Sequence, residues 1–230
     1  MSLEILFMST NPARQQLIRK KRLEQKRKKT KRFLFITLGI VLLISLAAVL
    51  PNLLHSKINY KDSAGFTLGN PDAPIKVVNF SSFYCGYCAA FSMNDEPEFI
   101  KKYVDTGEVY YRYVNLAFSS DEGTQNAAKV AYCVAEQNLF FELKPKLYSA
   151  AGNQGSFSIT NLTRLAESVG VEREELEACL TNNGALNEKL AEDLLFAQSV
   201  GVTGTPSFLV NDQLVYSNQL VPLVESLLGR

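Results

Sequence analysis

The feature that most constrains this chain is an uncharged apolar run of eighteen residues, Phe33 to Leu50, whose only polar members are Thr37 and Ser45. As a helix rising about 1.5 Å per residue, the run would span about 27 Å, the thickness of the hydrocarbon core of a bilayer. A buried helix of a water-soluble protein would carry at least one polar face. The run therefore predicts a transmembrane helix that divides the chain into two unlike parts.

The two parts differ in charge. Residues 1–32 contain eleven Lys and Arg against two Glu, a balance of +9. Totals of 24 basic and 23 acidic residues leave thirteen basic and twenty-one acidic residues in 33–230, a balance of −8. Because basic flanks stay in the cytoplasm, we expect a cytoplasmic N-terminus and an extracytoplasmic C-terminal part. The tail can also attract anionic lipid headgroups, and nucleic-acid binding is an alternative interpretation.

The alternative to an uncleaved anchor is a cleaved signal peptide. Its apolar region would be unusually long, and no clear small-x-small cleavage site lies between Ala47 and His55. We therefore predict a basic tail over 1–32, a transmembrane anchor over 33–50, a spacer over 51–66 and one domain over 67–230. The composition excludes collagen, a disordered chain and a disulfide-dense mini-protein.

Apolar patterning in the C-terminal part predicts the order β-α-β, several helices, then β-β-α. The predicted strands are Ile75–Phe80, Glu108–Asn115, Ser207–Val210 and Gln213–Tyr216. A β-α-β unit requires parallel strands, whereas the final two strands, joined by a short turn, form an antiparallel hairpin. We therefore expect an α/β domain with a mixed four-stranded sheet and an all-helical insertion over about 119–195.

The motif Cys85-Gly86-Tyr87-Cys88 directly follows the first predicted strand and starts a helix. A thiolate at a helix N-terminus is stabilised by unpaired backbone N–H groups and the helix dipole, which lower its pKa. One helical turn brings Cys88 under Cys85, close enough for a reversible disulfide. Because the first cysteine is the more exposed, Cys85 is the predicted nucleophile and Cys88 the resolving thiol. Nearby aromatic residues predict an apolar rim for unfolded substrate chains: Phe83, Tyr84 and Tyr87.

Two other interpretations of the motif are half of a zinc site and a purely structural disulfide. A zinc site lacks a second pair of ligands, since Cys133 and Cys179 are isolated and the only histidine is His55. A structural disulfide over so short a loop contributes little to stability. We therefore predict no metal site. Further along, Thr205-Pro206 precedes an apolar strand, and the sequence alone leaves the cis and trans forms of this bond open.

Four separated runs, in this order, resemble the DsbA-like, membrane-anchored thiol-disulfide oxidoreductases of the thioredoxin superfamily (DsbA/BdbD-like): NPDAPIKVVNFSSFYCGYC, AYCVAEQ, ACL and GVTGTPSFLVN. The similarity covers about Phe66 to Arg230. It implies a thioredoxin fold with a helical insertion and a cis Pro206 that faces Cys85 and Cys88. It further implies that the Thr205 backbone meets an extended substrate segment, and that the reactive disulfide replaces any bound cofactor.

Within this family, an extracytoplasmic domain implies that Cys133 and Cys179 form a second, structural disulfide. Two positions depart from the family pattern. Asn79 stands where members commonly carry a buried Glu or Asp that moves a proton to or from the buried thiol. Gly86-Tyr87 stands where strong oxidants often have Pro-His, so no imidazolium stabilises the Cys85 thiolate.

Three functions follow as hypotheses. The first is an oxidase that donates the Cys85–Cys88 disulfide to reduced, unfolded secreted or membrane proteins. A quinone-linked membrane partner, DsbB-like or vitamin K epoxide reductase-like (VKOR-like), would recharge it. The second is a reductase or isomerase of the same fold, favoured by the two departures. The third is a non-catalytic anchored module that binds peptides beside Pro206.

Overall fold

The computed structural model describes residues 66–117, 122–152 and 155–230, together with 20, 26–29, 33 and 35–40. The chain divides into two compact units, Met1–Ile58 and Asn59–Arg230. Within these described ranges, no helix is both long and apolar enough to cross a membrane. Residues 34 and 41–50 of the expected anchor, and 51–65 of the expected spacer, lie outside the described residues. The anchor, the spacer and their boundaries therefore stay predictions.

The second unit is built on one mixed sheet with the strand order β1-β3-β2-β4-β5. The strands are β1 (Thr67–Leu68), β2 (Ile75–Ser81), β3 (Val109–Asn115), β4 (Ser207–Val210) and β5 (Gln213–Tyr216). The expectation of four strands was wrong, because β1 adds a fifth at the edge, antiparallel to β3. A strand of two residues is too short to show the alternation of polar and apolar residues on which strand prediction depends.

Two of the other pairings are those that the sequence predicted, the parallel pair β2–β3 and the antiparallel hairpin β4–β5. Strands β2 and β3 are parallel, with Ile75 opposite Val109. Strand β4 is antiparallel to both β2 and β5. The turn between β4 and β5 places Asn211 at φ +51°, a left-handed conformation that asparagine tolerates well.

The helical segment after β2 alternates between α-helix and π-helix. It comprises α1 (Gly86–Ala90), a π-helical turn Phe91–Asp95, α2 (Glu96–Phe99) and a second π-helical turn Ile100–Val104. The apolar spacing from Cys85 to about Val104 predicts one helix, with Pro97 as a kink. Instead the Glu96 N–H donates to the carbonyl oxygen of Phe91, five residues back, which is the hydrogen bond of a π-helix. The next residue is Pro97, which has no N–H to donate.

Five helices lie between β3 and β4, and one follows β5. They are α3 (Glu122–Glu136), α4 (Phe140–Ala150), α5 (Ile159–Glu167), α6 (Arg173–Thr181), α7 (Asn183–Ser199) and α8 (Ser217–Leu227). The expected helical insertion is confirmed. Thr160, shortly before the apolar Leu162 and Leu165, is the N-cap that the sequence predicts for α5. The N-cap is instead Ser158, whose side chain accepts a hydrogen bond from the Asn161 N–H.

Two apolar clusters form the core. One joins the helical insertion to residues beside the CxxC motif, including Phe83, Cys88 and Tyr113. The other packs the first helical segment and α8 against the sheet, for example Phe91 against Phe208 at 4.7 Å between ring centroids. The end of β2 and the start of α1 therefore lie where the insertion meets the sheet.

Candidate active site

Cys85 is the N-cap of α1, with extended backbone angles, and its sulfur accepts a hydrogen bond from the Cys88 N–H at 3.4 Å. The cap arises because β2 ends at Ser81 and the chain turns into a helix within five residues. Cys85 is partly exposed, whereas Cys88 has only 1% of its surface exposed. An accessible sulfur backed by a buried one is the arrangement that a nucleophile and a resolving thiol require.

The surroundings of Cys85 lower the pKa of its thiol. Partial burial, the largest single influence, raises the pKa. Hydrogen bonds from the Thr205 side chain, the Cys88 thiol and the backbone N–H groups of Cys88 and Tyr87 outweigh it. The thiolate of Cys85 is therefore favoured without an imidazolium nearby.

The surroundings of Cys88 act in the opposite direction. Burial raises its pKa to about 12, against smaller lowering contributions that include the Ser82 backbone and the side chains of Thr205 and Ser81. A thiol with such a pKa stays protonated at neutral pH. The pKa values of the two adjacent thiols are thus shifted in opposite directions.

Thr205 and Pro206 lie beside the thiols. The Thr205–Pro206 bond is cis, the conformation that the family resemblance implies. The Cys85 thiol donates to the Thr205 carbonyl oxygen, with 3.2 Å between the sulfur and the oxygen. The Thr205 side chain also contacts both sulfurs, an interaction that the sequence analysis missed because it considered only the backbone of this residue.

The expected aromatic rim is present only in part. Tyr87 is 81% exposed and Tyr84 about half exposed. Phe83 does not belong to the rim, since it is buried between Tyr113 and Tyr148 in the core. The motif residue Gly86 begins α1, where the space around its Cα is open.

Asn79 is 1% exposed and belongs to a buried hydrogen-bonded chain. Its side-chain N–H donates to the Tyr111 hydroxyl at 2.7 Å, and its Oδ1 accepts from the Ser81 hydroxyl at 2.7 Å. The Tyr111 hydroxyl in turn donates to Glu96 Oε1 at 2.5 Å. Both the nitrogen and the oxygen of the amide at this position therefore have a hydrogen-bond partner.

The sequence analysis missed a buried ion pair at the end of that chain. Glu96 is 2% exposed and pairs with Lys144, which is 3% exposed. A second Glu96 oxygen accepts from the Ser92 hydroxyl at 3.0 Å. Helical spacing indicates only that each side chain is buried. Glu96 lies three residues before the buried Phe99, and Lys144 lies between Phe140 and Leu147 on an apolar stripe.

Cys133 of α3 and Cys179 of α6 form a disulfide, with 5.7 Å between their Cα atoms. Both belong to the apolar cluster of the insertion. Among the residues that the structure describes, no group of three or more His, Cys, Asp and Glu side chains could hold a metal ion. His55 lies outside the described residues.

Comparison with known proteins places this arrangement in a family. The thioredoxin family model matches residues 61–228. The disulfide bond formation protein D of Bacillus anthracis is 28% identical over 193 residues, 78% of this chain and 88% of that protein. A Rickettsia bellii protein named as a protein-disulfide oxidoreductase is 29% identical over 167 residues. The match covers 70% of this chain but only 62% of that relative.

Solved structures give the same result. The oxidised BdbD of Bacillus subtilis superposes with a TM-score of 0.64 and 25% identity, covering 72% of this chain and 93% of that one. The DsbA of Chlamydia trachomatis superposes with a TM-score of 0.63 and 25% identity, covering 71% and 91%. The chain belongs to the thioredoxin family and is a DsbA-like member of it.

Proposed function

We propose that the protein is a thiol-disulfide oxidoreductase that oxidises the thiols of reduced proteins. A substrate thiolate attacks the Cys85 sulfur, the Cys85–Cys88 bond breaks, and Cys88 leaves and takes up a proton. A second substrate thiolate then attacks the substrate sulfur of the mixed disulfide and expels the Cys85 thiolate. The substrate gains a disulfide, and the enzyme carries away the two electrons as a dithiol.

The observation that carries this proposal is the environment of Cys85, a partly exposed thiol at the N-cap of α1 whose sulfur accepts from the Cys88 N–H at 3.4 Å. The pKa of Cys85 is lowered, and the pKa of Cys88 is raised to about 12. A stabilised Cys85 thiolate makes the reduced enzyme the favoured product, which is the thermodynamic condition for donating a disulfide. The names of the relatives, among them disulfide bond formation protein D, support the same chemistry.

Substrate selection would depend on backbone and apolar contacts. The exposed ring of Tyr87 and the half-exposed ring of Tyr84 flank the thiols. An extended segment can pair with the Thr205 backbone, and pairing through the main chain tolerates many sequences. Unfolded or reduced extracytoplasmic proteins fit these contacts.

The location and the redox partner are part of the proposal. The apolar run over 33–50 and its basic flank support a single-pass anchor in the cell membrane, with a cytoplasmic tail and an extracytoplasmic catalytic domain. After each cycle the dithiol must be reoxidised. A quinone-linked membrane protein, DsbB-like or VKOR-like, is the partner that we propose.

The experiment that tests the direction is the equilibrium reduction potential of Cys85–Cys88 in glutathione buffers. A value between about −120 and −180 mV, the range of known disulfide donors and isomerases, supports oxidation. A value near −270 mV, close to that of thioredoxin, contradicts it. The variant Cys85→Ser tests whether the protein is an enzyme at all. If this variant kept its full function, the non-catalytic peptide-binding module would be the only hypothesis left.

A reductase or isomerase is the second candidate. It is favoured by Tyr87, which supplies no positive charge at the position where strong oxidants often have histidine, and by Asn79, which supplies no carboxylate. The potential separates a reductase from the oxidase, whereas an isomerase shares the potential range of the oxidase.

A further inference from the structure

We propose that Ser207 is a positioning residue for substrate pairing, because its hydroxyl holds the Gly204 carbonyl and thereby fixes the direction of the Thr205 N–H. In this arrangement the Thr205 N–H is the donor to a backbone carbonyl of an extended substrate. The proposal rests on the substrate pairing proposed above. It adds a residue to which neither the CxxC motif nor Thr205 itself points.

Ser207 is the first residue of β4, and its backbone is fixed from both sides. Strand β4 lies between β2 and β5, with the Ser207 Cα opposite Phe80 in β2 and opposite Tyr216 in β5. The residue is 1% exposed, so water does not compete for its hydroxyl. That hydroxyl donates to the Gly204 carbonyl oxygen at 2.7 Å. Ser207 is therefore a fixed donor at the end of the loop that leads into the sheet.

The loop between α7 and β4 needs a restraint at Gly204. The other end of the loop is held where the Val202 N–H donates to the Ala197 carbonyl oxygen at 2.9 Å. The space around the Gly204 Cα is open, and glycine has no Cβ to restrict rotation about its backbone bonds. Within the ranges that the structure describes, the Gly204 carbonyl accepts its one hydrogen bond from Ser207. Without this bond, the peptide unit between Gly204 and Thr205 is free to rotate.

The direction of the Thr205 N–H follows from the position of the Gly204 carbonyl. The peptide bond between the two residues is trans and planar, so its C=O and N–H groups point in opposite directions. Since the carbonyl is directed at the buried Ser207 hydroxyl, the N–H is directed away from it. Pro206 has no N–H, so Thr205 carries the one backbone donor between Gly204 and Ser207. Among the described residues this N–H has no acceptor, and it is available to a substrate.

This available N–H belongs to the residue that contacts the nucleophile. The Thr205 carbonyl oxygen lies 3.2 Å from the Cys85 sulfur, so a substrate segment bonded to Cys85 lies beside Thr205. In an antiparallel pairing, one residue uses both its N–H and its C=O with the residue opposite. Ser207 therefore controls one of the two hydrogen bonds by which Thr205 can hold an extended substrate.

The test compares two dithiols in a single turnover of the oxidised full-length protein: dithiothreitol and an unstructured peptide that contains two cysteines. With both, a substrate thiolate attacks the Cys85 sulfur and expels Cys88, and the second substrate thiolate then displaces Cys85. The substrate loses two electrons and two protons, and the enzyme gains them as a dithiol. Only the peptide has a backbone that can pair with Thr205. Acid quenching, alkylation of the new thiols and mass spectrometry give the rate at each substrate concentration.

In Ser207→Ala we expect the peptide concentration that gives half of the limiting rate to rise by about fivefold, the factor for one hydrogen bond of ordinary strength. The limiting rate and the oxidation of dithiothreitol should match wild type, because pairing contributes to binding and leaves the chemical step unchanged. Ser207→Thr keeps the hydroxyl on a side chain that suits a strand and should restore the wild-type value. The matched control is Ser168→Ala, which removes an equivalent bond, from Ser168 to the Leu165 carbonyl at 2.6 Å, at the end of α5.

Two results would overturn the proposal. A wild-type half-saturating peptide concentration in Ser207→Ala would show that pairing does not depend on the hydroxyl. Equal slowing of peptide and dithiothreitol in that variant would show that the substitution disturbs the thiols and not the pairing. The pH dependence of Cys85 alkylation, expected to be that of wild type, checks the same point. A failure of the proposed function would look different, since the wild-type protein itself would then leave the peptide dithiol unoxidised.

Discussion

The Cys85 sulfur lies 3.2 Å from the carbonyl oxygen of Thr205, and the side chain of the same threonine also interacts with the thiol. One residue therefore both touches the nucleophile through its backbone and lowers the pKa of the nucleophile through its side chain. This dual contact makes Thr205 the position at which substrate pairing and thiol reactivity can be separated by mutation.

We expect Thr205→Val to raise the pKa of Cys85, because valine has the shape of threonine but no hydroxyl to donate to the thiolate. Thr205→Ser retains the donor and is the matched control. Titration of the thiolate absorbance measures the effect, and alkylation of Cys85 at a pH below its pKa should slow by roughly fivefold, the factor for one hydrogen bond of about 1 kcal/mol. Equal pKa values in the two variants would contradict this role of the hydroxyl.

The disulfide between Cys133 and Cys179 links two helices of the insertion across a sequence separation of 46 residues. Its removal in Cys133→Ala/Cys179→Ala should lower the free energy of unfolding by up to about 4 kcal/mol, the chain-entropy value for a loop of this length. Urea denaturation measures the loss, with the reduced wild-type protein as the control. The reduction potential of Cys85–Cys88 should stay unchanged; a shifted potential would show that this disulfide also acts on the site.

Much of this architecture is predictable from the sequence, because it depends on local patterns. Strands β4 and β5 begin and end at the predicted residues, since each is a short apolar run bounded by turn residues. Cys85 is predictable as the centre of the site, because a CxxC motif at a strand-to-helix junction has few interpretations other than a reactive thiol pair. The reactivity of Cys85, by contrast, depends on a threonine 120 residues away in sequence.

The parts that could not be predicted depend on contacts between distant residues. Lys144 and Glu96 are 48 positions apart, and nothing in either local sequence indicates that the two charges meet. Phe83 was expected in the exposed rim. The sequence does not decide its location, because an aromatic residue near a CxxC motif can lie either in such a rim or in the core. Only the packing against Tyr113 and Tyr148 decides between these locations.

Asp193 of α7 predicts a pH dependence of stability. Burial raises its pKa to about 6, although the Tyr132 hydroxyl and the charge of Arg112 lower it. The unfolded value is about 4, so the folded state binds more protons between the two values. The stabilisation is complete below about pH 4 and is lost as the pH rises through about 6.

Urea denaturation of Asp193→Asn against wild type measures this contribution. The difference in the free energy of unfolding should change by at most about 3 kcal/mol between about pH 4 and pH 7, in favour of the variant at the higher pH. Asp212→Asn, at an exposed turn, is the matched control and should show no such change. A difference that is constant with pH would show that Asp193 titrates alike in the folded and unfolded states.

The buried pair of Glu96 and Lys144 predicts strongly non-additive mutations. Lys144→Met leaves a carboxylate without its counter-charge, and Glu96→Leu leaves an ammonium group, so each should cost about 3–5 kcal/mol of stability. Burial lowers the pKa of Lys144, and the charge of Glu96 and the hydrogen bond to it oppose this lowering. The double variant buries no charge and should lose less than either single variant, with only the Tyr111 and Ser92 hydroxyls left without their acceptor.

Urea denaturation of the four proteins in this cycle gives the coupling free energy. Lys101→Met, which changes an exposed lysine on the same helical segment as Glu96, controls for the loss of a positive charge alone. Losses that simply add in the double variant would mean that the two charges do not compensate each other.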